Sequence, residues 1–453
     1  MWKINEKYVI LFAKGKDCSL RIFLLKDEFM KRNDTTYNTY IEILKEELVP
    51  AMGCTEPIAI AYCGAKARDV LGGMPDKVTL YVSGNIVKNV KSVIVPNTNG
   101  LKGIEAAAAA GIVGGKAEKI LEVIAEVTEE QKKEMRTFLE TCPITIRPAE
   151  GDEALDIWMI LNKGDDTATV RISGYHTNIV LIEKNGEVLY KAGEVQADEK
   201  LLADKSLLTI KDIVEFANIL DVNDVKEIFD RQIAYNMAIA EEGLKNNWGA
   251  NVGSVLLKYN KDLRTKAKAY AAAGSDARMS GCELPVIITS GSGNQGMTAS
   301  LPVIVYAEGL EKTREELYRA LAVSNLVTIH QKSGIGRLSA YCGAISAGCG
   351  AGCGIAYLQG GDFRTIAHTL VNALAIVSGI VCDGAKASCA GKIAAAVDAG
   401  IFGYEMFLEG QQFIGGDGLV SKGVENTLVN IGRLGSIGMK ETDKEIIRIM
   451  TGC

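Results

Sequence analysis

The chain has 453 residues, of which 47% are hydrophobic and 23% are charged, and its formal net charge at pH 7 is -6. This composition is typical of a globular protein with two or three domains, and the lack of a basic block argues against nucleic acid as the main partner. Eleven cysteines are too sparse for a disulfide scaffold, and an odd number cannot all pair. We therefore expect a reducing, cytoplasmic environment.

An extension over residues 1–29 is expected to precede an α+β domain over residues 30–201. Apolar residues at helical spacing predict helices over residues 35–47 and 58–70, with a loop between them. Further helices are predicted over residues 105–111 and 128–138. Alternating or β-branched runs predict strands over residues 77–83, 91–95, 144–147, 155–162, 167–173 and 179–184.

The C-terminal part, residues 202–453, is expected to be an all-helical domain rich in Ala and Gly, because strand signals nearly vanish there. Its loops over residues 275–281 and 290–296 are expected to carry site residues. The uncharged run 338–361 contains Gly, Ala, Ser and Cys rather than Leu, Ile or Phe, so it should pack in a core and not span a membrane. The predicted helices cover residues 209–217, 222–246, 253–273, 297–308, 313–329, 340–359, 363–381 and 387–399.

Five cysteines lie in one stretch of this domain: Cys342, Cys349, Cys353, Cys382 and Cys389. On a single helix the first three share a face, but Cys342 and Cys349 are about 10 Å apart along the axis. Cys342 with Cys382 and Cys389 is an easier set, because the Asp-Gly pair that follows Cys382 favours a tight turn. Such thiols can bind an iron–sulfur cluster or a structural zinc ion; alternatively, small buried cysteines only pack Ala-rich helices.

The sequence SGSGNQG at residues 290–296 opens a predicted helix. Backbone N–H groups at a helix N-terminus favour an anion such as a carboxylate, and glycines let the backbone approach a ligand. The predicted substrate-binding residues here are Ser290, Ser292, Asn294 and Gln295. The stretch also spells GxGxxG, but no parallel βαβ unit surrounds it, and a turn without a ligand is the alternative.

Two cations, Lys332 and Arg337, lie just before Cys342. A cation there could hold a carboxylate or offset the charge of bound thiolates. Surface charges between helices are the alternative. Asn99, in the turn PNTNG, is predicted either to reach across a domain cleft to the substrate or only to form the turn.

Four motifs resemble those of the L-cysteine desulfidase family, which is related to the iron–sulfur L-serine dehydratase alpha chains. They are MGCTEP at residues 52–57, SDARM at 275–279, SGSGNQG at 290–296, and CDGAK at 382–386 with a cysteine three residues further on. The resemblance runs from about residue 30 to the end of the chain. It implies a [4Fe-4S] cluster held by Cys342, Cys382 and Cys389, which leaves one iron open to substrate. Cys349 and Cys353 fall outside the family pattern and are expected to pack.

The resemblance also implies a lyase, independent of pyridoxal phosphate, that converts L-cysteine to hydrogen sulfide, ammonia and pyruvate. Cys54, with Lys332, is then catalytic; Cys54 is the preferred base, with a pKa lowered near a cationic or metal centre. Glu56 is a rival base, and a capping role for Cys54 in the following helix is the alternative. The expected partners are a small amino acid, L-cysteine or L-serine, and by default a second copy of the chain.

Other functions use the same residues. An L-serine dehydratase would release hydroxide in place of sulfide, and a clusterless sensor or binding protein would keep the fold without the chemistry. Some serine dehydratases of this superfamily cap the open iron with a C-terminal cysteine, and Cys453 could do the same here.

Overall fold

The computed structural model describes residues 30–32, 34–151, 153–193 and 202–452. The expected extension over residues 1–29 and the capping hypothesis for Cys453 lie outside these residues. The helices are α1 (Thr35–Glu47), α2 (Thr55–Leu71), α3 (Gly84–Val90), α4 (Gly103–Gly114), α5 (Glu129–Thr141), α6 (Ile210–Ile219), α7 (Lys226–Lys245), α8 (Val252–Tyr259), α9 (Leu263–Met279), α10 (Gly293–Gly309), α11 (Arg314–Ile335), α12 (Gly343–Leu358), α13 (Phe363–Val377), α14 (Cys389–Leu408), α15 (Val424–Arg433) and α16 (Lys440–Thr451). The strands are β1 (Pro50–Met52), β2 (Lys77–Val82), β3 (Ile144–Pro148), β4 (Asp156–Lys163), β5 (Asp166–Ser173), β6 (Ile179–Lys184), β7 (Glu187–Lys191) and β8 (Pro285–Ile287).

The six-stranded sheet has the order β3-β2-β4-β5-β6-β7, with only the β2–β3 pair parallel. Side chains alternate across its central strands, so that Ile157, Met159 and Leu161 of β4 are fully buried on one face. The Ala-rich helix α2 packs on that face, and α4 packs on α2. Gly111 allows α4 to approach α2 closely, because a Cβ at this position would lie 1.9 Å from the carbonyl oxygen of Ala61. The predicted α+β class is confirmed.

Two elements from the start of the chain pack with the C-terminal helices. Tyr37 and Tyr40 of α1 lie on either side of Phe216 in α6, with ring centroids 5.1 and 5.4 Å away. The strand β1 pairs antiparallel with β8, from Pro50 opposite Ile287 to Met52 opposite Pro285. The boundary predicted at residue 201 stays a prediction, but these contacts tie the two parts of the chain together.

The helices α12 and α14 are packed so closely that glycines form their contact. A Cβ on Gly348 would lie 2.5 Å from the backbone of Ala396, and one on Gly352 would lie 2.4 Å from the carbonyl oxygen of Gly400. Both contacts pair residues 48 positions apart in the same direction, so the helices run parallel. Their N-terminal ends therefore lie side by side.

The C-terminal helices include no segment, within the described residues, long and apolar enough to cross a membrane. The uncharged run that contains Cys349 and Cys353 is instead the buried interior of α12. Both thiols are fully buried, and Cys353 faces the carbonyl oxygen of Ile366. Packing accounts for these two cysteines.

Some sequence predictions of secondary structure are wrong. The single helix predicted over residues 253–273 is divided into α8 and α9, because Asp262 caps a new helix. Residues 91–95 form no strand and make only the isolated bridge between Ile94 and Lys102, because the β-branched pattern reflects burial of Val93 and Val95. Residues 275–279, predicted as a loop, continue α9. The polar Asp276 is tolerated there because its carboxylate accepts the backbone N–H groups of Ala250 and Gly253, both at 3.3 Å.

The α12–α14 contact gives a testable prediction. Gly400→Ala places a methyl group 2.2 Å from the carbonyl oxygen of Gly348, and we expect it to lower the free energy of unfolding by about 1–3 kcal/mol. Gly391→Ala, on the same helix but with no atom within 4 Å of the added carbon, is the control and should stabilise by up to about 1 kcal/mol. Denaturant titration of both variants measures the difference; equal stabilities would contradict the proposed contact.

Candidate active site

A cavity of about 100 Å³ lies where the N-terminal ends of α2, α10, α12 and α14 meet the C-terminal end of α9. We call it the thiol cavity. Most of the predicted site residues line it: Cys54, Glu56, Ser292, Asn294, Gln295, Lys332, Arg337, Cys342, Cys382 and Cys389. A larger cavity of about 520 Å³, which includes Ser290, adjoins it through Lys332 and Arg337.

Cys342 and Cys382 are placed by a short antiparallel pairing. Tyr341 bridges Val381, and the backbone N–H groups of Cys342 and Cys382 donate to Ile380 and Ala340 across the pair. Because side chains alternate along such a pair, the two cysteines share one face. In a regular antiparallel pair such diagonal neighbours are about 7–8 Å apart.

Cys389 reaches the same place by helix packing. It is the first residue of α14, and the 48-residue offset of the α12–α14 contact sets it nearly level with Cys342, the N-cap of α12. The turn between Cys382 and Cys389 is braced by Asp383, whose carboxylate binds the ammonium groups of Lys386 and Lys392. The thiol of Cys342 and the thiols of Cys382 and Cys389, about 40 residues further on, thus line one cavity.

The spacing of these thiols does not match a single metal ion. Within the described part of the chain, no three His, Cys, Asp or Glu side chains converge closely enough to hold one metal ion. A [4Fe-4S] cluster binds each thiolate through a different iron, so its sulfur ligands stand further apart than those of tetrahedral zinc. Burial, with a further contribution from Cys382, raises the pKa of Cys342 to about 12, so binding iron would have to displace its proton.

The Cys54 thiol is paired with a carboxylate. It lies at the N-cap of α2, is 4% exposed and donates a hydrogen bond to Glu56 Oε2 at 3.0 Å. Burial and the Glu56 charge raise the pKa of Cys54 well above its usual range, and Arg278 only partly opposes them. The lowering of this pKa beside a metal centre stays a prediction. No side-chain hydrogen bond of Cys54 caps the helix.

Glu56 is the ionised member of the pair. Burial acts to raise its pKa, but His176 and the Cys54 thiol outweigh burial and hold the pKa at about 2. The His176 ring nitrogen is 3.7 Å away, so its effect is electrostatic rather than a formed hydrogen bond. Asn89 donates to the other carboxylate oxygen at 3.0 Å. Sequence reasoning missed His176 and Asn89, which lie far from any motif.

The two predicted cations behave differently. Lys332 is 5% exposed, and burial lowers its pKa to about 8 against the opposing effect of Cys382 and Cys342. Arg337 is already occupied: it donates to Glu47 at 3.0 Å and its guanidinium lies 4.3 Å from the centroid of the Tyr175 ring. Of these two predicted cations, Lys332 is the one without an ion pair in the described part of the chain.

The residues before α10 approach the thiol cavity from the other side. Thr55 donates to the carbonyl oxygen of Gly291 at 2.9 Å, which joins the MGCTEP segment to this loop. Ser292 is the N-cap of α10 but makes no capping hydrogen bond with its side chain. The hydroxyl of Ser290 and the amide oxygen of Gln295 are buried without a hydrogen-bond partner in the described structure.

Two predicted residues, Ser290 and Asn99, lie outside the lining of the thiol cavity, and sequence reasoning missed Arg278 as well as Asn89 in that lining. Asn99 is exposed with φ of 54°, so its role in the turn accounts for it. Arg278 lines the cavity at 2% exposure. It belongs to the SDARM motif, but the motif was interpreted as a loop and its arginine was not assigned a role.

Comparison with known proteins identifies relatives along most of the chain. The family model for the serine dehydratase alpha chain matches residues 116–448. A UPF0597 protein of Desulfitobacterium hafniense is 64% identical over 423 residues, which cover 93% of this chain and 98% of the relative. UPF0597 proteins of Lachnoclostridium phytofermentans and Treponema denticola are 52% and 46% identical, covering 91% and 93% of this chain and 99% of each relative.

The Glu47 carboxylate can be tested as the anchor of Arg337. Glu47 is 4% exposed and pairs with both Arg337 and, at 2.7 Å, Lys205. Glu47→Gln leaves both cations without their carboxylate, and because they are partly exposed we expect a loss of about 2 kcal/mol in unfolding free energy. Glu42→Gln on the same helix breaks only an exposed pair with Lys45 and should change stability by less than about 0.5 kcal/mol. Thermal melts distinguish the two, and similar effects would refute the anchoring role.

Proposed function

Because the chain belongs to the serine dehydratase alpha chain family, we propose that it is an iron–sulfur lyase that breaks the Cβ–sulfur bond of L-cysteine. The products would be hydrogen sulfide, ammonia and pyruvate, without pyridoxal phosphate. The observation that carries the proposal is that Cys342, Cys382 and Cys389 line the same cavity as the Cys54–Glu56 pair.

The three thiols would hold a [4Fe-4S] cluster. With three protein thiolates, such a cluster supplies one iron with an open coordination position that acts as a Lewis acid. Lys332 is a buried cation beside Cys342 and Cys382, and its charge would offset that of the bound thiolates. The α12–α14 contact keeps Cys342 and Cys389 in register whether or not iron is bound.

Cys54 would take the proton, and Glu56 would position it. Cys54 packs near Met279 and Cys389, one of the proposed cluster ligands. Elimination of sulfide requires a base for the α-proton, and Cys54 would supply it as the thiolate. Glu56, whose pKa of about 2 makes it a weak base, would hold the Cys54 sulfur in place through the hydrogen bond that it accepts. The 2-aminoacrylate released would tautomerise to an imine and hydrolyse to pyruvate and ammonia.

L-Serine is the second candidate substrate, because the matching family model is named for serine dehydratase. The same residues would then act on a hydroxyl leaving group. Hydroxide is a poorer leaving group than hydrosulfide, so the reaction with serine depends more strongly on an acid near the β-position.

The ligand assignment is tested by single substitutions. After anaerobic reconstitution, the wild type should contain about four iron and four sulfide ions per chain, and Cys342→Ala, Cys382→Ala or Cys389→Ala should lose most of both. Cys349→Ala is the matched control, because Cys349 lies on the same helix as Gly348 but is buried away from the cavity lining; it should keep its iron. Iron retained by all the variants would reject the three-cysteine site.

The substrate is tested by comparing kcat/KM for the two amino acids in reconstituted protein. The reaction of L-cysteine is measured by sulfide release and that of L-serine by pyruvate formation. We expect kcat/KM for L-cysteine to exceed kcat/KM for L-serine by at least about tenfold, which corresponds to about 1.4 kcal/mol in transition-state binding. A preference for L-serine would assign the chain to serine dehydration. Iron-loaded protein inactive with both would favour a binding or sensor function.

A further inference from the structure

The guanidinium of Arg278 is buried at the end of α9 and forms no salt bridge with a described residue. Its Nη1 donates to Asn294 Oδ1 at 3.1 Å, whereas Nε and Nη2 have no hydrogen-bond partner among the described residues. The side chain is 2% exposed and lines the thiol cavity. Burying a charge with unpaired donors is costly, and proteins retain such a group mainly where a ligand completes its hydrogen bonds.

The N-terminus of α10 faces the same place. This helix has 17 residues, and its first-turn N–H groups donate no hydrogen bond to the side chain of its N-cap, Ser292. A Cβ on Gly293 would lie 2.4 Å from Arg278 Nε. Because Gly293 has no side chain, the guanidinium can lie against the end of the helix. The guanidinium and the helix N-terminus both attract an anion.

A neighbouring acceptor restricts which anion fits. The amide oxygen of Gln295 is buried without a partner, and the ionised Glu56 lines the same cavity. These groups repel a fully anionic ligand such as phosphate, but they suit the ammonium group of an amino acid. Unpaired donors beside unpaired acceptors match a small zwitterion.

We propose that Arg278 binds the α-carboxylate of the substrate, a small amino acid, and so makes the site selective for ligands with a free carboxylate. The identity of that substrate rests on the proposed function. Arg337, the arginine that the sequence indicated, is held outside this role by Glu47 and Tyr175. Arg278 would orient the Cα–H bond toward Cys54, and Gln295 would accept from the ammonium group.

Binding of unreactive ligands to the full-length, iron-reconstituted protein tests the assignment without relying on turnover. The probes are L-alanine, L-alaninamide, which lacks the carboxylate, and inorganic phosphate, each titrated by calorimetry. We expect L-alanine to bind at least tenfold more tightly than the other two. Arg278→Gln should weaken L-alanine binding about 10- to 100-fold, and Arg278→Lys less, because a charge-assisted pair is lost in the first and kept in part in the second.

Three measurements keep the role of Arg278 distinct from a structural one. Arg278→Gln should contain as much iron as the wild type and unfold at the same or a higher temperature, because it removes a buried unpaired charge. Arg264→Gln, on the same helix but paired with Asp398 at 2.9 Å outside the cavity lining, should leave L-alanine binding unchanged. If Arg278→Gln does not fold, a higher KM for L-cysteine with little change in kcat in Arg278→Lys supports the same conclusion.

Several results would overturn the proposal: L-alanine binding that survives Arg278→Gln, phosphate that binds more tightly than L-alanine, no binding of L-alanine to the wild type, or loss of iron together with the arginine. A wild type that binds L-alanine through Arg278 but releases no sulfide from L-cysteine would reject the proposed function and leave the carboxylate assignment standing.

Discussion

The site depends on the contact of two parallel helices, α12 and α14, that glycines bring almost to backbone contact. Gly348, Gly352 and Gly400 leave no side chain between them, so the helices cannot slide or separate without losing that packing. Each helix begins at a cysteine or directly after one. The contact therefore fixes the relative height of Cys342 and Cys389, and the Tyr341–Val381 bridge adds Cys382 to the same face.

Charge is distributed around this frame in a way that ordinary folding would not favour. Lys332 and Arg278 are buried cations that line the thiol cavity, and Glu56 is a buried carboxylate there that stays ionised because the Cys54 thiol and His176 stabilise it. Buried charges without full pairing lower stability, so the rest of the fold has to compensate. The buried core, with many alanines and glycines at its helix contacts, is where such compensation can come from.

Sequence patterns gave wrong predictions where the burial of a residue, rather than its local secondary structure, explains the residue type. The polar stretch of SDARM is typical of a loop, yet it is helical because Asp276 is satisfied by backbone groups that lie 23 to 26 residues earlier. The β-branched residues Val93 and Val95 face a core without joining a sheet. For Cys54, the motif did not reveal that burial and the carboxylate of Glu56 raise the pKa of the thiol.

The sequence alone indicated the α+β class and most helices and strands, because periodicity and turn chemistry are local properties of the chain. It also contained the motifs that hold Cys54, Ser292 and the three cysteines. The tertiary structure alone decided that Arg278, rather than Arg337, has buried N–H groups without a partner among the described residues. It also decided that His176 and Asn89 lie beside the carboxylate of Glu56. Both results depend on side chains that are distant in the sequence and that bury a charged group away from water. A local sequence pattern does not show which side chains these are.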